Sequence, residues 1–223
     1  MINTDVLLAW GAAYKKVIPG EILFKEGTAC NFYYQLVNGQ MRWVNIDESG
    51  KEYLQLIILP GQCVGELGLF DDGLFTATAV ADKECLLLRL HKQDFQQLLR
   101  THQDIHFHFT ELLVKRLRFK FHLLKSLDNH EPEKIILSFI AYLQQTGEHL
   151  CSSCNKVNLT RKQIAEMTSL RVETVIRVMR RLESKQVVRI DKGKVFIGNG
   201  EGCFKDSCVF HTNEVEGNMF VAQ

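Results

Sequence analysis

No run of about 18 apolar residues occurs in the chain, so no segment has the length and apolarity of a membrane-spanning helix. The first ten residues, Met1–Trp10, carry Asp5 and no Lys or Arg. They lack the basic start of a secretory signal, and a cytoplasmic protein with no membrane partner is expected. Compositional bias is missing too. Of 223 residues, 46% are hydrophobic and 24% charged, close to the globular average, which excludes a disordered tail or a fibrous repeat. The seven cysteines are an odd count in a chain this long. That argues against a disulfide scaffold and leaves metal and redox roles open. No pairing of a general base with a nucleophile stands out, so an enzyme is not expected.

Charge of one sign is almost absent overall, at a net +1, but it is unevenly spread. Residues 1–155 hold 15 Lys and Arg against 18 Asp and Glu, whereas residues 156–194 hold 11 against 4. A short basic block behind a slightly acidic body is the electrostatic footprint of a module that meets a polyanion. A solvated basic surface would carry the same composition.

The first third reads as β structure. Glycines at 20, 27, 39, 50 and 61 separate short runs rich in strand formers: Glu21–Phe24, Phe32–Val37, Met41–Ile46 and Tyr53–Leu59. Phe75–Ala81 and Cys85–Leu90 extend the series, the last expected to be buried on both sides. Regularly spaced short strands with turn residues between them suggest a sandwich, jelly roll or barrel. The period then changes. No Gly or Pro occurs from Lys92 to Asp128. Ile105, Phe109, Leu113, Leu117, Phe121, Leu124 and Leu127 recur at steps of four or three, which places them on one helix face. A helix over 103–127 would be about 36 Å long. Its stripe outruns one small domain, so a partner helix in a dimer is expected to cover part of it. Asp128-Asn-His-Glu-Pro132 breaks the helix, and Pro132 suits the first turn of a new one, which should end at Gly147.

Residues 157–197 predict strand, helix, turn, helix and hairpin. Thr160 can cap a helix over Arg161–Met167. Thr168-Ser-Leu170 is a tight turn, and Arg171–Ser184 forms a second helix. Val187–Ile190 and Lys194–Ile197 flank Asp191-Lys-Gly193 as a β wing. This is a winged helix-turn-helix pattern. Ile164, Met167, Leu170, Val175, Val178, Met179 and Leu182 would form the seam. Thr160, Arg161, Arg171, Val172, Glu173, Thr174, Arg177, Arg180 and Arg181 are then the candidate DNA-contacting residues. Arg can take a guanine edge in two bonds and Glu can accept from a cytosine amino group. The remaining cations suit phosphates, which give affinity without sequence choice.

At this point a resemblance emerges. Leu159-Thr-Arg-Lys-Gln-Ile-Ala165 with Arg171-Val-Glu-Thr-Val-Ile-Arg177 resembles the recognition segment of the Crp–Fnr superfamily of bacterial transcription regulators. Pro60-Gly-Gln-Cys-Val-Gly-Glu-Leu-Gly-Leu-Phe70 resembles that family's phosphate-binding cassette in its cyclic-nucleotide-binding fold. The resemblance spans about residues 18–198. It implies an α+β chain: a sensory jelly roll over 1–102, a dimerisation helix over 103–128, a winged helix-turn-helix over 129–198 and a Cys-containing tail over 199–223. It further implies a homodimer on a palindromic double-stranded promoter site, with RNA polymerase as a partner if the protein activates.

The departures from the family pattern are informative. In cyclic-AMP-binding members an Arg follows the Gly-Glu pair and neutralises the cyclic phosphate. Here Gly73-Leu-Phe-Thr-Ala-Thr78 holds no cation, and an unpaired phosphate is costly to bury. Where those members place Thr-Ser on the long helix, this chain has Leu117-Arg118. The candidate effector pocket is therefore Gly65, Glu66, Leu67, Phe75, Thr76, Ala77, Leu117 and Arg118, the effector is unknown, and cyclic AMP is not expected. Glu66 has a second reading, in which it only satisfies backbone N–H groups of the cassette. In the recognition helix Val172 matches the Fnr-like branch, which suggests a TTGA-like half-site, while Ile176 departs from the Ser often found there.

Cysteines offer a different switch. Cys151-Ser-Ser-Cys154 precedes the winged unit's first strand, and Cys203 and Cys208 follow its last. Two short-spaced pairs fit a tetrahedral zinc or an iron–sulfur cluster, a reversible disulfide, or four unrelated thiols. The N-terminal cysteine cluster of the Fnr branch is absent, since only Cys30 precedes residue 60.

Overall fold

The computed structural model describes residues 2–127 and 131–197. After a short helix α1 (Thr4–Ala9), capped by the Asn3 side chain, eight strands build two antiparallel sheets. These are β1 (Ala13–Val17), β2 (Ile22–Phe24), β3 (Phe32–Asn38), β4 (Met41–Ile46), β5 (Glu52–Ile58), β6 (Cys63–Val64), β7 (Thr78–Ala81) and β8 (Cys85–His91). One sheet runs β1-β8-β3-β6 and the other β2-β7-β4-β5. Non-sequential neighbours in both sheets give the jelly-roll wrapping expected from the evenly spaced turns. The turn between β3 and β4 needs glycine: Gly39 has φ +101°, and a Cβ there would lie 2.4 Å from the Glu84 carbonyl oxygen.

The sequence reading located six of these strands to within a few residues but not β1 or β6. It also expected Cys85–Leu90 to be buried throughout. Instead Arg89 and His91 are exposed, on the face that carries the buried Cys85 and Leu87, so β8 is covered on both faces at its start and solvated on one face toward its end. A further helix, α2 (Lys92–Thr101), precedes the long one and buries Phe95, Leu98 and Leu99.

Helix α3 (Gln103–Leu127) has the expected bounds, but its apolar stripe divides. Phe109 is buried among Tyr33, Phe70 and Phe95, and Ile105 packs against the same core. Further along, Leu117, Phe121 and Leu124 are 55%, 62% and 58% exposed. The domain boundary expected between Asp128 and Asn129 falls outside the described residues.

Helix α4 (Pro132–Thr146) begins on Pro132 and ends at Gly147 in the left-handed conformation, as the Pro and Gly signals require. Then come α5 (Arg161–Thr168), α6 (Val172–Ser184), β9 (Val188–Asp191) and β10 (Lys194–Ile197). Val157 and Lys156 bridge toward the wing without forming a full strand.

Two apolar clusters hold the chain. The first fills the jelly roll, with Leu36, Met41 and Leu87 between the sheets and Tyr33 and Leu88 on the opposite face of their strands, where Tyr33 stacks on Phe95 of α2. The second joins Val44, Leu54 and Ile57 on β4 and β5 to Phe119 of α3, Phe139 and Leu143 of α4, and Ile164, Val175 and Leu182 of the helix-turn-helix. The winged unit thus rests on the jelly roll.

Candidate nucleic-acid interface and sensor core

The helix-turn-helix is built by local signals. Thr160 Oγ1 accepts from the Gln163 N–H at 3.1 Å, and Gln163 Oε1 accepts from the Thr160 N–H at 2.8 Å. This capping box satisfies two backbone donors at the start of α5. Ser169 ends α5 in the left-handed region, and the Leu170 N–H returns to the Ala165 carbonyl at 3.0 Å. Ala165 is 2% exposed, the small side chain a close helix crossing needs. Helix α6 then buries Val175, Val178, Met179 and Leu182.

The opposite face of α6 carries the candidate DNA contacts. Arg171, Glu173, Arg177 and Arg180 are exposed, and Val172 and Thr174 are half-buried. Two other candidates are engaged within the protein. Arg181 Nε lies 3.2 Å from Glu133 Oε2, and Lys185 also pairs with Glu133. The last turn of α6 sits beside the first turn of α4, so Arg181 ties the two helices together. Arg161 is half-buried, with Nη2 3.5 Å from the Gly193 carbonyl of the wing turn, and burial lowers its pKa. Thr160 is exposed at the helix cap.

In the jelly roll, Gly65 adopts φ +74°, and a Cβ there would lie 2.5 Å from the Phe24 ring and 2.7 Å from Phe75. That absence of a side chain lets Phe24 and Phe75 stack, with centroids 3.7 Å apart at 9°. Glu66 is fully buried. Its carboxylate forms a close ion pair with the Arg116 guanidinium, reaching in from α3. Arg116 Nη2 also donates to the Cys63 carbonyl at 2.9 Å, and the guanidinium lies 5.9 Å from the centroid of the Trp43 ring. Burial works against the Arg116 charge, but the Glu66 carboxylate beside it overcomes that and the pKa is raised. Glu66 thus has a built-in cation, and it is the neighbouring side chain of α3 rather than only backbone N–H groups that meets it.

Of the candidate pocket residues, Gly65, Glu66, Phe75 and Ala77 come together in this core. Thr76, Leu117 and Arg118 are exposed, and Leu67 is 38% exposed. The motif position expected to face the pocket falls on the exposed Arg118, whereas the side chain that reaches Glu66 is Arg116. Helix periodicity held the signal: Phe109, Leu112, Arg116 and Phe119 share a face, and Phe109 and Phe119 are buried.

Comparison with known proteins bears on both units. The cyclic nucleotide-binding domain family matches residues 14–102, and the Crp-like helix-turn-helix domain family matches residues 136–202. The chain is a member of the Crp–Fnr family. The cyclic AMP receptor protein of Thermus thermophilus is 27% identical over 193 residues, covering 86% of this chain and 87% of the relative. The cAMP-activated global transcriptional regulator of Pasteurella multocida is 26% identical, covering 74% and 80%. Two solved structures show the shared fold. The c-di-GMP responsive regulator of Xanthomonas campestris matches with a TM-score of 0.67 at 17% identity, covering 87% of this chain and 98% of that one. A mutant of CooA from Carboxydothermus hydrogenoformans matches at 0.69 and 16%, covering 88% and 87%. The Crp–Fnr chain is therefore a transcription regulator with a DNA-binding helix-turn-helix and a cyclic-nucleotide-binding-like domain.

For the metal expectation, Cys203 and Cys208 lie outside the described residues. Among the described residues, no three or more His, Cys, Asp or Glu side chains are arranged to hold an ion. His102, His106 and His108, clustered at the start of α3, are included in that statement.

Proposed function

We propose that this regulator binds a palindromic duplex as a homodimer, with α6 in the major groove and Glu173 and Arg177 reading the half-site. The observation that carries the reading is the division of α6. Its seam is buried, while Arg171, Glu173, Arg177 and Arg180 remain free of the core. Two α6 helices then engage half-sites about one helical turn apart. The exposed Leu117, Phe121 and Leu124 of α3 are the apolar surface that a second copy would cover. Contact with RNA polymerase follows if the bound dimer activates.

Cyclic AMP is not the effector in the usual manner. Arg116 already neutralises Glu66, and the segment after the cassette supplies no cation for a phosphate. The decisive experiment is selection of bound duplexes from a random pool at low salt, followed by gel shift. Enrichment of a two-fold symmetric site is expected, and failure to prefer any sequence would remove the reading. Isothermal calorimetry should show no micromolar binding of cyclic AMP.

A further inference from the structure

The described cysteines fall into two groups. Cys30, Cys63 and Cys85 are buried in the jelly roll. Burial pushes the Cys30 thiol up to about 11 and raises Cys63 and Cys85 as well. Cys151 and Cys154 occupy a tight turn after α4. Leu150 bridges Val157, and the Cys151 N–H donates to the Lys156 carbonyl at 2.9 Å. The Asn155 N–H donates to the Cys151 carbonyl at 2.8 Å, closing a five-residue turn that contains both thiols. Cys151 Sγ lies 3.1 Å from Ser153 Oγ and also bonds with the Cys154 thiol. These contacts, Ser153 foremost, lower the Cys151 thiol to about 6. Cys151 is half-exposed and Cys154 is 5% exposed. A partly exposed thiol therefore stands beside a sheltered one inside a single closed turn, the arrangement of an attacking and a resolving cysteine.

The turn is also mechanically placed. The Val157 N–H donates to Val195 at 2.8 Å, and the Ile197 N–H donates to the Asn155 carbonyl at 3.1 Å. The cysteine hairpin is thereby hydrogen-bonded to β10 of the wing. Its other side faces a cavity of about 610 Å³, walled by Ile57 and Ile58 of β5, Phe119 of α3 and Tyr142 of α4.

We propose that Cys151 and Cys154 are a reversible dithiol–disulfide site, closed by hydrogen peroxide and reopened by a small dithiol, and that closure alters DNA affinity through the wing. The Cys151 thiolate attacks one peroxide oxygen and the O–O bond breaks. Cys151 becomes a sulfenic acid, and the departing hydroxide takes a proton and leaves as water. The Cys154 sulfur then attacks the sulfenic sulfur. The S–S bond forms, the S–O bond breaks, and the oxygen leaves as a second water with the Cys154 proton. Two sulfurs together lose two electrons, and one peroxide is reduced to two waters. A dithiol returns the two electrons by exchange and is itself left as a disulfide.

The thiol chemistry does not depend on the regulator reading, whereas the effect on DNA does, so the test has two arms. Full-length Cys203→Ser/Cys208→Ser protein and the unsubstituted chain are reduced, treated with stoichiometric peroxide, alkylated and digested with trypsin. Cleavage after Lys134 and Lys156 leaves both cysteines in one peptide. That peptide is expected two hydrogens lighter and closed to alkylation until dithiothreitol is added. Both thiols still alkylated after peroxide would overturn the proposal. So would pairing of Cys151 with Cys203 or Cys208 in the unsubstituted chain, or stoichiometric zinc in the reduced protein that is lost in Cys151→Ser. In the second arm, gel shift on the selected duplex is expected to differ about fivefold or more between reduced and oxidised protein, with no difference in Cys151→Ser/Cys154→Ser. Equal affinities in both states would overturn the coupling to the wing. A reduced protein that prefers no duplex would instead count against the regulator reading and leave the peptide result standing.

Discussion

Glu66 and Arg116 hold opposite charges almost out of water, so each depends on the other. Breaking such a pair from one side strands a buried charge and costs about 3–5 kcal/mol. Glu66→Gln and Arg116→Met should each destabilise by about that much in urea denaturation. The double variant should recover much of the loss. A double variant as unstable as the sum of the singles would mean that the two side chains are not coupled. On α6, Arg177→Ala should relax choice at one base pair at a cost of about 1–3 kcal/mol, read by competition with single-base variants of the selected site. An equal loss on every duplex would assign Arg177 to phosphate. At this scale Glu66 was legible because it lies in a run of cassette residues. Its partner was not, because counting along a motif selects a position while only the helix period selects a face.

Among the elements, legibility followed length and burial contrast. Helix α3 shows its period over 25 residues, and α5 announces itself through Thr160 and Gln163. Strand β1 buries only Val17 of its five residues, and β6 has two residues in all, so neither leaves a readable alternation. The split of the α3 stripe was equally hidden, since apolar spacing does not say which surface meets each half. The exposed half carries a prediction. Phe121→Glu places a charge in the surface that a second copy would bury, which should shift sedimentation equilibrium toward monomer while the far-ultraviolet circular dichroism of the chain stays unchanged. An unaltered dimer would move the contact elsewhere.

Across the whole molecule, the second apolar cluster is shared between the two units. Leu54, on the outer face of the jelly roll, is 4% exposed because the winged unit covers it. Leu54→Ala should cost about 2–5 kcal/mol, as large-to-small changes in packed sites do. Differential scanning calorimetry should show the winged unit melting ahead of the jelly roll in this variant. Loss of both in one undivided transition would mean that the cavity is felt equally on each side.

Helix α3 connects these levels, because Arg116, Leu117 and Phe119 face three different bodies: the sensor core, open solvent and the winged unit. Successive residues are set about 100° apart around a helix that turns in 3.6 residues. The helix is in that sense a camshaft, and no twist about its long axis can retime one lobe while leaving the other two at rest.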